Sequence, residues 1–214
     1  MKPLWISAFT LAVVALAAPS WGQNGAMWTD YRGGLVSIQF AGGGSPAPAP
    51  MDRPAAEMAD LFKRLCLDSG GDEAGVALAA TAAELTPTPH VVPGTKKAGP
   101  LTLNIWTANG LTLSRTDGFF AAPAPQCNTT FYVSTLPTRP DLTAAMNAAV
   151  GAQPSNLAAA TDKKGQPKKN FSPEWTIDGP GGPRIVFASI GKSSQYMPGN
   201  RVQISVRAAK KAAQ

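Results

Sequence analysis

The sequence predicts an α+β domain: a mainly antiparallel sheet of about six strands, about three helices and one disulfide. Three observations carry that expectation. Asn109-Gly110 lies between two strand-like runs within residues 101–118, the strongest short-range signal for a β-hairpin. Met58, Leu61, Phe62, Leu65 and Cys66 recur at the spacing of one helix face. Strand-like and helix-like segments occur in runs, with several strands joined as hairpins, which favours an antiparallel sheet over a parallel one.

Taken in order, Leu35–Phe40 reads as a first strand bounded by glycines, and residues 41–50, AGGGSPAPAP, as a linker with no structure of its own. A helix then starts with Pro54 in its first turn and ends at Gly70-Gly71, with Lys63 and Arg64 near its C-terminus, where cations suit the helix dipole. A second helix is expected from Asp72 to Leu85, weakly amphipathic through Val76, Leu78 and the alanines. Ser69 to Asp72 resembles a capping box at its start. Pro87 and Pro89 stop it, and TPTPHVVPG reads as a loop.

In the hairpin, a two-residue turn pairs Ala108 with Leu111 and Trp106 with Leu113, and puts Leu103 and Ile105 on the opposite face. Both faces are partly apolar, so cover on both sides is expected. GFFAAPAPQ reads as a loop, and Cys127 opens a strand through Phe131 and Val133. Thr138-Arg-Pro-Asp141 starts a third helix, which Gly151 ends. Residues 152–173 form a polar, basic loop. Strands follow at Trp175–Ile177, Arg184–Ile190 and Arg201–Arg207, the last with Val202, Ile204 and Val206 on one face.

The first 22 residues have the pattern of a secretory signal peptide: Lys2, an apolar stretch over 6–18, then small residues before Gln23. Thirteen mainly apolar residues are too few for a membrane span, which needs about 20. The expected organisation is therefore a signal peptide (1–22), an N-terminal strand and linker (23–53) and a single domain (54–214). A periplasmic or secreted location follows, with no transmembrane segment in the mature chain. The formal net charge is +6. From Thr161 onward there are ten Lys or Arg against three acids, whereas residues 23–160 hold eight against ten. The basic character belongs to the C-terminal end.

Two cysteines in an exported chain favour a Cys66–Cys127 bridge. Two buried thiols, or a catalytic thiol paired with the single histidine, His90, are the alternatives. The bridge would close a loop of about 60 residues, worth roughly 4 kcal/mol by the chain-entropy argument. Asp68, Asp72 and Glu73 do not match a calcium loop: from Asp68, position 6 is Glu73 and position 12 is Ala79. His90 lacks an obvious second ligand for a metal. No phosphate-loop, dinucleotide, HExxH or GxSxG motif occurs, so no cofactor and no metal is expected. Lys163, Lys164, Lys168 and Lys169 are the one localised polar feature. They suit a solvated loop or contact with an anionic surface, and without interleaved aromatics they do not suggest nucleic acid.

The run FKRLCLDSGGDEAGVALAA, the strand at Trp106, the second cysteine on a strand and the helix begun by Pro140-Asp141 resemble a loose group of exported alphaproteobacterial proteins with no assigned activity. The resemblance covers roughly residues 58–150 and implies export and a disulfide. Together these readings lead to the expectation of a non-enzymatic binding or envelope-accessory protein. Its partner would be an anionic envelope component or another envelope protein. An envelope hydrolase using carboxylates or His90 is the rival.

Overall fold

A computed structural model describes residues 27–29, 38–40, 49–92, 101–119, 122–157, 161, 164, 166, 172–192 and 199–209. Its centre is one antiparallel sheet. Strands β3 (Thr86–Pro87), β5 (Leu101–Ala108), β6 (Leu111–Phe119), β7 (Ala122–Val133), β10 (Asn200–Ala208), β9 (Gly182–Gly191) and β8 (Glu174–Gly179) lie side by side in that order, and β4 (His90–Val92) also pairs with β5. A separate two-stranded ladder joins β1 (Met27–Thr29) to β2 (Ile38–Phe40), the part of the expected first strand that falls within the described residues. The main path thus has seven strands, not six.

The hairpin forms as the turn chemistry dictates. Ala108 pairs with Leu111 and Trp106 with Leu113, and Gly110 takes the positive φ (+67°) that the turn requires. Two segments read as loops are instead strands. Thr86–Pro87 and His90–Val92 add to β5, and the second hairpin continues through Phe119 and Ala122 past a register shift. Proline is tolerated here because β3 is the outermost strand of the path, and β10 reaches along β7 only as far as Gln126, short of Pro125.

Helix α1 (Ala55–Phe62) runs into a π-helical turn (Lys63–Leu67) closed by the Asp68 amide donating to the Lys63 carbonyl, 2.9 Å. Ser69 Oγ donates to the Leu65 carbonyl, 2.8 Å, satisfying one of the groups left over at that end. Ser69 therefore does not cap the next helix. Asp72 does, its carboxylate accepting from the Gly75 amide at 2.7 Å, and α2 spans Glu73–Ala82, shorter than expected. Leu78 is 72% exposed, and the buried positions of α2 are Val76 and Ala80. Helix α3 (Arg139–Val150) is capped by Thr138 and ended by Gly151 at φ +73°.

Helices α1 and α3 pack together over one face of the sheet. Between them and the strands lie Met58, Phe62, Phe131, Met146, Trp175 and Ile204, all buried. Trp175 donates its indole N–H to Asn147 Oδ1 on α3, 2.9 Å, so a polar atom at the edge of the core is satisfied. Ahead of α1 the chain is pinned to the strand ends. The Met51 amide donates to the Tyr132 carbonyl at 2.9 Å, and Asp52 accepts from the Ser134 and Thr135 amides at 2.7 and 2.9 Å.

Candidate functional site: the second face of the sheet

Cys66 on the π-helical turn and Cys127 on β7 are bonded, with α-carbons 5.7 Å apart, and both are buried. This excludes the alternatives of free thiols and of a catalytic cysteine. The acidic residues around Cys66 each engage a separate partner. Lys63 Nζ donates to both Asp68 oxygens at 2.8 Å, Asp72 caps α2, and Glu73 accepts from Asn104 Nδ2 at 2.8 Å. Among the described residues no three His, Cys, Asp or Glu side chains gather as a metal site.

The corner is held from the sheet. Arg115, buried on β6, donates from Nε to the Gly71 carbonyl at 2.8 Å and from Nη1 to the Thr116 carbonyl at 2.6 Å. The Arg184 guanidinium lies against Gly71, where an added Cβ would come within 1.9 Å of Nη2. Burial, and secondarily the charge of Arg115, hold Arg184 below the usual arginine range. His90 lies on β4, and its side chain is outside what is described. Lys164 stands exposed in a turn, and Lys163, Lys168 and Lys169 lie outside the described residues.

The face of the sheet turned away from the helices is different in kind. Side chains alternate along strands. The positions that point Val202, Ile204 and Val206 at the helices therefore point Arg201, Gln203, Ser205 and Arg207 to the other side. Register places Gln126, Asn128, Thr130 and Tyr132 of β7 beside them. Beyond β10 in the other direction come Phe187 of β9 and Glu174 of β8. One row thus reads Glu174, Phe187, Ser205, Asn128 and Ser114 across β8, β9, β10, β7 and β6.

Along β7 and β10 this face is polar, with Leu103, Ile105 and Phe187 as apolar members on the neighbouring strands, and much of it is hidden from solvent. Gln126 and Asn128 are buried, and Gln126 Nε2 donates to Asn128 Oδ1 at 2.8 Å. Ser205 has no exposed surface, and its hydroxyl has no hydrogen-bond partner among the described residues. The Arg207 guanidinium carbon lies 4.8 Å from the centre of the Phe187 ring, a cation–π contact. Burial raises the Glu174 carboxyl above its usual range, with the Arg207 charge acting in the opposite sense. Burial likewise raises the Tyr132 phenol, while a hydrogen bond with Thr112 and the Arg201 charge pull it down. Such a face offers hydroxyl, amide and guanidinium donors beside an aromatic ring, with Arg201 and Arg207 on β10 and the acids Glu174 and Asp178 on β8.

None of these residues stands out in the sequence, where Arg201–Arg207 reads only as a strand with Val202, Ile204 and Val206 on one face. The one visible signal is the alternation itself in residues 201–207. Searches against protein-family models, curated proteins and solved structures find no match to this chain.

Proposed function

We propose that this protein is an exported, non-enzymatic binding or envelope-accessory protein whose ligand surface is the second face of its sheet. The observation that supports the reading is the concentration of hydrogen-bonding side chains on that face, contributed by β6, β7, β8, β9 and β10. A sheet face packed only as core would be apolar, and one turned only to water would not enclose Gln126, Asn128 and Ser205. Binding sites combine an apolar element with a few placed polar groups, and here Phe187 supplies the former. Export is supported by the leader-like first 22 residues and by the buried disulfide, which suits an oxidising compartment. Lys163, Lys164, Lys168 and Lys169 are proposed to add weak attraction to an anionic envelope surface, about 1 kcal/mol per lysine at best.

The test is native mass spectrometry of purified protein exposed to a small-molecule extract of bacterial envelopes. Wild type should retain a compound that an Asn128→Leu variant does not. Turnover of ester or glycoside substrates, lost on changing His90 to Ala, would favour the hydrolase instead. The lysines are tested separately by co-sedimentation with anionic vesicles at low and high salt. A variant with all four changed to Gln should sediment less at low salt, and the two proteins should converge at high salt.

A further inference from the structure

The row through Ser205 carries more hydrogen-bonding capacity than the protein itself uses. Ser205 is completely buried and its Oγ has no partner among the described residues. A buried hydroxyl left unpaired is unfavourable, so its presence in the middle of a central strand points to a partner from outside the chain.

The neighbours of Ser205 indicate what that partner is. On β7 its register neighbour is Asn128, whose Oδ1 is occupied by Gln126 Nε2 at 2.8 Å. That contact orients the amide so that its Nδ2 donors point away from Gln126. On β9 the neighbour is Phe187. Arg207 lies two residues along the same strand and on the same face. It is turned back over that ring, with its guanidinium carbon 4.8 Å from the centroid. A hydroxyl, an amide and a guanidinium therefore surround one short stretch of the sheet. Guanidinium has five donors and no acceptor, and it matches the planar fork of a carboxylate or phosphate. Glu174, across Phe187, is the acidic group of the row; its carboxyl feels the Arg207 charge, and burial holds it above the usual glutamate range, so a bound oxyanion would share Arg207 with it.

We propose that this row binds a small soluble oxyanion, a carboxylate or a phosphate, held by Ser205 Oγ and the Arg207 guanidinium, with Asn128 as a third donor. The enclosure of Ser205 favours a small ion over a headgroup still anchored in a bilayer. The inference rests on the reading of this face as the ligand surface and specifies its ligand chemistry.

The experiment is thermal unfolding of the full mature protein in sodium phosphate and, separately, in sodium acetate, each against sodium chloride of equal ionic strength. Wild type should be stabilised by at least one of the two oxyanions over chloride, with a concentration dependence that yields an affinity. Ser205→Ala should weaken that affinity about tenfold or more, as expected for losing a hydrogen bond to a charged group. In chloride alone Ser205→Ala should unfold no earlier than wild type, because an unpaired hydroxyl is removed. A merely structural serine would behave in the opposite way. Arg207→Lys should retain part of the response and Arg207→Gln should lose it. No response of wild type to either oxyanion, or an undiminished response in Ser205→Ala, would overturn the proposal. Retention of an envelope compound without any response to oxyanions would remove this ligand class and leave the binding role standing.

Discussion

Single residues carry opposite kinds of constraint in this protein. Gly75 sits in the first turn of α2, and a Cβ there would come within 2.0 Å of the Ser69 backbone carbonyl, which has no side-chain freedom with which to retreat. Gly151 has a left-handed φ of +73° but nothing within 4 Å of an added Cβ. Gly151→Ala should therefore cost about 1 kcal/mol, from backbone strain alone. Gly75→Ala should cost more, roughly 1–3 kcal/mol, because backbone must move. Urea denaturation of both variants checks the order. Glu174 supplies a pH signature. Its carboxyl is raised in the folded state, mainly by burial, so the native protein holds that proton at pH values where the unfolded chain has released it. Stability contributed at this site is therefore lost as pH rises from the usual glutamate range through the raised value. Glu174→Gln should be the more stable protein near neutral pH, and the two should converge in acid. A wild type that gains on the variant as pH rises would reverse the assigned sign.

At the scale of elements, what was legible in the sequence was what local chemistry decides. Asn109-Gly110 specifies a hairpin and its register together, and Thr138 with Gly151 brackets α3 at both ends. The elements that were not legible depend on neighbours. Pro87 can join a strand because that strand is at an edge, and the extension of β7 to Ala122 depends on β6 alone. Leu78 was expected on the buried side of α2 because it is apolar, yet the helix is so rich in alanine that periodicity barely distinguishes its faces. The packing of α2 against the π-helical turn and β6 makes the choice, and it selects Val76 and Ala80. Leu78→Ala should accordingly change stability by no more than about 0.5 kcal/mol. Met146→Ala, which opens a hole under α3, should cost about 2–5 kcal/mol. Similar unfolding midpoints for the two variants would contradict this placement of α2. The candidate site was illegible for the same reason: Asn128 and Ser205 are separated in sequence by α3, β8 and β9 and become neighbours only through the β7–β10 pairing.

At the scale of the whole molecule, the disulfide joins the first helical layer to a central strand. Replacing both Cys66 and Cys127 by Ala should lower stability by about 4 kcal/mol, measured by urea denaturation without reductant. A much smaller loss would mean that the helices hold the sheet without the bridge. The two faces of that sheet divide the work. One carries the helices, the disulfide and the apolar core; the other carries Gln126, Asn128, Ser205, Arg201 and Arg207, which contribute little to an apolar core. Among the described residues no helix is long and apolar enough to cross a membrane. If the first 22 residues act as a leader, protein recovered from the exported fraction should begin between Ala18 and Gln23 by mass spectrometry, and an intact stretch 1–17 would contradict export by that route.

The claim that the second sheet face is the binding surface is tested most directly by chemical-shift mapping of the isotopically labelled mature protein as an envelope extract is added. Shifts should concentrate on the alternate positions of β7, β9 and β10 that face away from the helices, with Asn128, Phe187, Ser205 and Arg207 at their centre. Shifts confined to the basic loop around Lys164, or to the shallow groove between α1 and α2 beside Leu61 and Ala83, would contradict it.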